Sequence, residues 1–128
     1  MVKYLDLEYW KKVQEIANAD NEFGIKAKTF IATFTFRATD KPDLPSIYAK
    51  FADGKIVEIR QLNAGEKTDF ILEGLYDIWT KVNKGELDSS DAIMQRQLQF
   101  KGNMSNIIRY SKSFLRLFQL MQKIPVEY

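Results

Sequence analysis

Hydrophobic and polar positions recur with two different periods along this chain. Between Asp6 and Ala19, apolar side chains appear every three or four residues, which predicts an amphipathic helix with Asp6 as its N-cap. Residues 20–24 have the composition of a turn. From Phe30 to Arg37 the period falls to two, which predicts a half-buried β-strand. The chain therefore opens with a helix and continues into a sheet.

The middle of the chain predicts a β-hairpin. Two alternating runs, 47–51 and 55–62, flank Asp53-Gly54. This dipeptide is favoured in type I′ turns because both central residues need a positive φ angle. In the second run, we expect Val57 and Ile59 to face the core.

The remaining pattern predicts the rest of an α+β fold. Strands are expected over 68–73 and 96–101, and helices over 75–83, 88–94 and Met104–Gln122. Each strand has one apolar and one polar face, so helices should cover only one side of the sheet. The predicted fold class is α+β, a single five-stranded, mostly antiparallel sheet with an N-terminal helix and a long C-terminal amphipathic helix.

The composition restricts the chemistry that this chain can perform. It contains neither cysteine nor histidine, which excludes thiolate nucleophiles, histidine triads and zinc sites built from either residue. Asp88 and Asp91 lie at a helix start, where capping explains them, and the glycines are scattered singly rather than in a phosphate-binding loop. We therefore expect a protein that is not an enzyme, with no catalytic residue, metal site or cofactor.

The net charge and the hydropathy pattern indicate which partners and which cellular location to expect. A net charge of +2 gives no basis for a nucleic-acid partner. No apolar run is long enough for a transmembrane helix or a signal peptide. Together with the absence of cysteine, this pattern predicts a cytoplasmic protein.

A series of short motifs from Asp53 to Met104 resembles the sterol carrier protein 2 family. The motifs occur in the family's order: Asp53-Gly54, Leu75-Tyr76-Asp77-Ile78-Trp79, Lys84-Gly85-Glu86-Leu87, Asp91-Ala92-Ile93-Met94 and Phe100-Lys101-Gly102-Asn103. The resemblance implies that residues 1–128 form a single sterol-carrier-like domain. It also implies a hydrophobic tunnel that holds an apolar small-molecule lipid.

The inward sheet face and the last helix carry the candidate ligand-binding residues. Their large apolar side chains either fill a core or line a cavity, and the family resemblance favours the cavity. The expected lining consists of Phe34, Phe51, Ile59, Phe70, Trp79, Phe100, Ile108, Leu115 and Phe118.

The last helix also carries a basic side opposite its apolar stripe. Arg109, Lys112 and Arg116 lie there, and they form either a solvated face or a face that docks transiently on an anionic membrane. Leu117 and Leu120 are expected to lie off the apolar stripe, where they would touch lipid head groups.

Two functions remain open at this point. The first is a non-catalytic carrier that holds an acyl, sterol-like or isoprenoid ligand in a hydrophobic tunnel. The alternative is a structural or dimerisation module without a lipid cavity, which would form a homodimer or work with an enzyme partner. A continuous apolar cavity of several hundred Å³ would favour the carrier.

Overall fold

The computed structural model describes residues 1–128 and contains one main sheet, a short two-stranded ribbon and six helices. The elements follow one another as β1 (Val2–Lys3), α1 (Leu7–Asn18), α2 (Asn21–Lys26), β2 (Ala32–Ala38), β3 (Ile47–Ala52), β4 (Lys55–Gln61), β5 (Phe70–Gly74), α3 (Tyr76–Asn83), α4 (Ser89–Met94), β6 (Leu98–Lys101), α5 (Met104–Arg109), α6 (Ser111–Met121) and β7 (Val126–Glu127).

The main sheet has five strands in the order β4-β3-β2-β5-β6. Strands β2 and β5 are parallel, and the other three neighbouring pairs are antiparallel, so the sheet is mixed. The predicted α+β class with five strands is confirmed. A parallel pairing of β1 with β7, which brings Val2 opposite Val126, was not predicted because two-residue strands carry no periodicity.

The two faces of the sheet differ as the alternation predicts. Phe34, Phe51 and Phe70 point into the core beneath the helices and are almost fully buried. On the opposite face, the carboxylate of Glu73 binds Arg37 Nε at 3.1 Å and Lys101 Nζ at 2.7 Å. The neighbouring strands β2 and β5 are therefore joined by apolar packing on one face of the sheet and by an ion pair on the other.

The β3–β4 hairpin confirms the predicted turn but corrects one side chain. Asp53 and Gly54 have φ angles of 55° and 76°, as a type I′ turn requires. Val57, expected to face the core, is 49% exposed, and Ile56 is buried instead. A β-bulge causes the change, because Ile56 pairs with Phe51 while Glu58 pairs with the preceding residue of β3, which leaves Val57 as the extra residue.

The segment predicted as a turn at 20–24 begins a second helix. Asp20 caps α2 by accepting a hydrogen bond from the backbone of Phe23 at 2.8 Å. Asp6 caps α1 by the same contact to Tyr9, also at 2.8 Å, as predicted. Phe23 is buried in the core, so packing stabilises a short helix that the local composition alone does not favour.

The prediction of one long last helix is wrong. The helix divides into α5 and α6 at Tyr110, where the backbone leaves helical geometry. The Tyr110 hydroxyl lies 3.0 Å from Thr29 Oγ1, and its ring centroid lies 4.5 Å from that of Phe30. A side chain anchored to the segment before β2 thus fixes the joint between the two helices.

The expected exposure of Leu117 and Leu120 is also wrong. Both residues are buried because α6 packs against α1 and α2 as well as contributing to the core beneath the sheet. These two leucines therefore cannot contact lipid head groups in this structure.

Candidate functional site

A pocket of about 600 Å³ opens between α4, β6, α5 and α6. Nine of its fourteen lining residues are hydrophobic, which makes its wall suited to an apolar chain. The lining consists of Ser89, Ser90, Ile93, Met94, Arg96, Gln99, Phe100, Met104, Ile107, Ile108, Ser111, Phe114, Leu115 and Phe118.

The pocket has a buried floor and an exposed apolar rim. Ile107, Phe114 and Phe118 are buried and belong to the main hydrophobic core. The rim consists of four large apolar side chains that are at least 40% exposed: Met94 (77%), Met104 (51%), Ile108 (69%) and Leu115 (40%). Exposed groups of this kind mark binding surfaces when they cluster.

The helix break at Tyr110 helps to define this pocket. Helix α5 packs against β6 and α6, while α4 also contacts β6 and α6. The six-residue helix α5 therefore forms one wall by itself, with Ile107 directed to the floor and Ile108 to the rim.

Only part of the predicted lining faces the pocket. Four of the nine predicted residues line it, namely Phe100, Ile108, Leu115 and Phe118. The other five lie in the solid core and do not line it, namely Phe34, Phe51, Ile59, Phe70 and Trp79.

Ring packing accounts for the solid core. The Phe34 ring centroid lies 5.1 Å from that of Phe70, 5.4 Å from that of Phe51 and 5.3 Å from that of Phe114. The pocket accordingly lies at the β6 side of the sheet rather than beneath its centre. Sequence reasoning missed the contribution of α4, for which the apolar pair Ile93-Met94 was the available signal.

One residue of the predicted basic face, Arg116, forms an ion pair within the protein. Arg116 binds Asp20 through Nη2–Oδ1 at 2.8 Å and Nε–Oδ2 at 3.0 Å. The hydrogen bond from Arg116 lowers the pKa of Asp20 to about 2. Arg109 and Lys112 are exposed and form no ion pair. The charge of Arg116 is thus neutralised locally, whereas the other two basic residues remain available.

The structure contains neither a metal-binding cluster nor a membrane-spanning helix. No group of three or more histidine, cysteine, aspartate or glutamate side chains is placed to hold a metal ion. None of the helices has both the length and the hydropathy needed to cross a bilayer.

Comparison with known protein families identifies the fold. Residues 13–114 match the model of the SCP-2 sterol transfer family. The chain belongs to this family. Its membership supports a general role in lipid binding or transfer. A comparison with curated protein sequences found no match.

Solved structures of SCP2-like proteins show the same fold. A crystal structure of sterol carrier protein 2 aligns with a TM-score of 0.86 at 15% identity, covering 96% of this chain and 100% of that one. A Thermus thermophilus protein, described as possibly a sterol carrier protein, aligns with a TM-score of 0.81 at 16% identity, covering 99% and 93%. A ubiquinone synthesis protein, UbiJ-SCP2, aligns with a TM-score of 0.58 at 13% identity, covering 91% and 89%.

Proposed function

We propose that this SCP2-family protein is a non-catalytic, cytoplasmic lipid carrier that works without a cofactor. The apolar chain of the ligand occupies the pocket between α4, β6, α5 and α6. The observation that carries the proposal is the pocket itself, whose volume of about 600 Å³ and largely hydrophobic lining suit a lipid chain. The alternative, a structural module without a lipid cavity, offers no role for an apolar pocket of this size.

The energetics suit a carrier that must also release its ligand. Burying a chain of about sixteen carbons yields on the order of 12 kcal/mol at ~0.8 kcal/mol per methylene. Losses of motional freedom on association offset roughly 4–15 kcal/mol of this gain. The net affinity is therefore modest, near the micromolar range at best, and the ligand can be passed on.

Extraction of the purified protein with organic solvent, followed by mass spectrometry, is the direct test. A carrier retains a stoichiometric acyl, sterol-like or isoprenoid lipid, or binds a fluorescent fatty acid saturably after delipidation. Recovery of a stable homodimer with neither retained lipid nor probe binding would favour the assembly module instead.

A pocket-filling variant connects this binding to the proposed site. Leu115→Trp places a large ring at the rim, where the native side chain is 40% exposed, so the change should block the pocket without disturbing the core. Gln119→Trp is the matched control, because Gln119 is exposed one helical turn further along α6 and does not line the pocket. We expect Leu115→Trp to weaken probe binding at least tenfold and Gln119→Trp to leave it unchanged.

We further propose that the rim of the pocket docks on an anionic membrane during transfer. The exposed apolar rim is suited to contact the head-group region, and two exposed cations that form no ion pair lie beside it in the chain. Arg109 follows Ile108 directly, and Lys112 precedes Leu115 by one helical turn. Each such basic residue near an anionic surface contributes about 1 kcal/mol.

A further inference from the structure

Arg96 is the one charged residue among those that line the pocket, and no carboxylate accompanies it there. Its side chain is exposed and forms neither an ion pair nor a hydrogen bond within the chain. Of the other four arginines, Arg37, Arg60 and Arg116 each bind a carboxylate, and Arg109 lies outside the pocket lining. An unpaired guanidinium therefore lies at the mouth of an otherwise uncharged, mostly apolar pocket.

The backbone at Arg96 is strained. Its φ angle is 62°, in the left-handed region that favours glycine. The N–H of Gln97 donates to the carbonyl of Ala92 at 2.8 Å, and that of Arg96 donates to the carbonyl of Ile93 at 3.1 Å. This is the hydrogen-bond pattern of a Schellman motif, in which glycine is the usual residue at the left-handed position. Arginine therefore occupies a position at which glycine would be more stable.

We propose that Arg96 binds the anionic head group of the lipid whose chain occupies the pocket. This inference rests on the proposed carrier function and specifies its ligand class, a single-chain amphiphile that ends in a carboxylate or a phosphate. The planar guanidinium offers paired donors that match either group. The strained position places these donors at the mouth, where the head group of a lipid with its chain against Phe114 and Phe118 would lie.

The competing explanation is that Arg96 only stabilises the end of α4. A cation just beyond a helix C-terminus interacts favourably with the helix dipole. That role would affect stability but would not distinguish one lipid head group from another. Ligand discrimination therefore separates the two explanations.

The test uses the delipidated full chain and three ligands with the same chain: myristic acid, myristyl alcohol and myristyl phosphate. Binding is measured at about pH 8, where the carboxylic acid is ionised, and at low salt. The variants are Arg96→Gly, which removes both charge and strain, Arg96→Gln, which removes the charge alone, and Arg96→Lys. Lys84→Gln is the matched control, because Lys84 is the C-cap cation of α3 and does not line the pocket.

The parent protein should bind at least one of the two anionic ligands about tenfold more tightly than the alcohol. Whether the acid or the phosphate is preferred assigns the head group. Arg96→Gly and Arg96→Gln should lose this preference while binding the alcohol as the parent does, and Arg96→Lys should keep part of it. Arg96→Gly should also unfold at a higher denaturant concentration than the parent, because its backbone is relaxed.

Three results would overturn the head-group role of Arg96. They differ in whether the carrier function also fails. If the parent binds all three ligands equally, the head-group role fails and the carrier function stands. The same holds if Arg96→Gly and Arg96→Gln keep the preference for anionic ligands. If the parent binds none of the three, the carrier function fails and the head-group role fails with it.

Discussion

The side chain of Asn18 pairs with the backbone of Ile56 as a neighbouring strand would. Asn18 Nδ2 donates to the Ile56 carbonyl at 3.0 Å, and the Ile56 N–H donates to Asn18 Oδ1 at 2.8 Å. Gln14 Nε2 donates to the same carbonyl at 2.9 Å. Since β4 is an edge strand of the sheet, these bonds satisfy backbone groups that have no further strand to pair with.

Asn18→Ala should therefore lower the free energy of unfolding by about 1–3 kcal/mol, because it leaves two backbone groups of Ile56 without this partner. Urea denaturation measures the change. Gln14→Ala should have a smaller effect, since Gln14 shares only the carbonyl. Equal effects of the two substitutions would contradict this assignment.

The ion pair between Asp20 and Arg116 predicts a loss of stability in acid. The pKa of Asp20 is lowered from 3.8 to about 2, so the ionised form stabilises the folded state. This contribution is present above the unfolded pKa and is lost as the pH falls towards about 2. We expect the stability difference between the parent and Asp20→Asn to shrink over this range in urea titrations at stepped pH.

Asparagine keeps one oxygen to cap α2 at position 20, but its amide nitrogen cannot accept the second hydrogen bond from Arg116, so the variant removes the charge and the bidentate ion pair together. Asp6→Asn is the control, because Asp6 caps α1 by the same hydrogen bond and has no arginine partner. A difference that stays constant through the acid range would show that the ion pair does not stabilise the fold.

Gly102 is required at the entry to α5. Its φ angle is 138°, and a Cβ there would overlap the ring of Phe70 and lie 2.9 Å from the carbonyl oxygen of Asp69. Gly102→Val should lower the free energy of unfolding by roughly 1–3 kcal/mol from backbone strain, with steric overlap adding to it. Gly24→Ala is the control, because its nearest contact would lie at an ordinary 3.7 Å. An unchanged denaturation midpoint for Gly102→Val would rule out this constraint.

Substitutions of Phe34 test whether the aromatic core is separate from the pocket. Truncation to alanine should destabilise the fold by about 3–5 kcal/mol, because the ring is fully buried among other aromatic rings. The milder Phe34→Leu should remain folded and bind a fluorescent fatty acid with parental affinity, since Phe34 does not line the pocket. Weaker binding by the folded leucine variant would show that the pocket is not independent of the core, since the Phe34 ring contacts the floor residue Phe114.

The membrane-docking proposal predicts that transfer depends on charge beside the rim. Arg109→Glu with Lys112→Glu should abolish the acceleration of lipid transfer by anionic vesicles while leaving lipid binding intact. Lys11→Glu with Lys12→Glu is the matched control, since it changes the net charge equally on the exposed side of α1. Vesicle transfer assays at several salt concentrations provide the measurement. If both pairs slow transfer equally, net charge rather than a docking face is responsible.

The sequence predicted elements wherever local periodicity determines them, and it failed where contacts between distant residues decide the outcome. The turn at Asp53-Gly54 follows from local backbone preferences. In contrast, the exposure of Val57 depends on how β4 pairs with β3, and the break at Tyr110 depends on Thr29. Neither dependence is visible in a local pattern.

The same limit applied to the candidate site. A large apolar residue has the same appearance in a sequence whether it fills a core, as Phe34 does, or lines a pocket, as Phe118 does. Only the three-dimensional packing of the rings decides between them. The positive φ angle of Arg96 was equally hidden, because the alternating pattern placed that residue in a strand.

The division between a solid aromatic core and an exposed pocket rim has a consequence for how such proteins diverge. Exposed rim residues such as Met94 and Ile108 contribute little to stability, so they can be exchanged with little risk to folding. Ligand preference can therefore drift independently of the scaffold. A designer could retune the proposed carrier by replacing residues at the rim while leaving every aromatic ring beneath the sheet untouched.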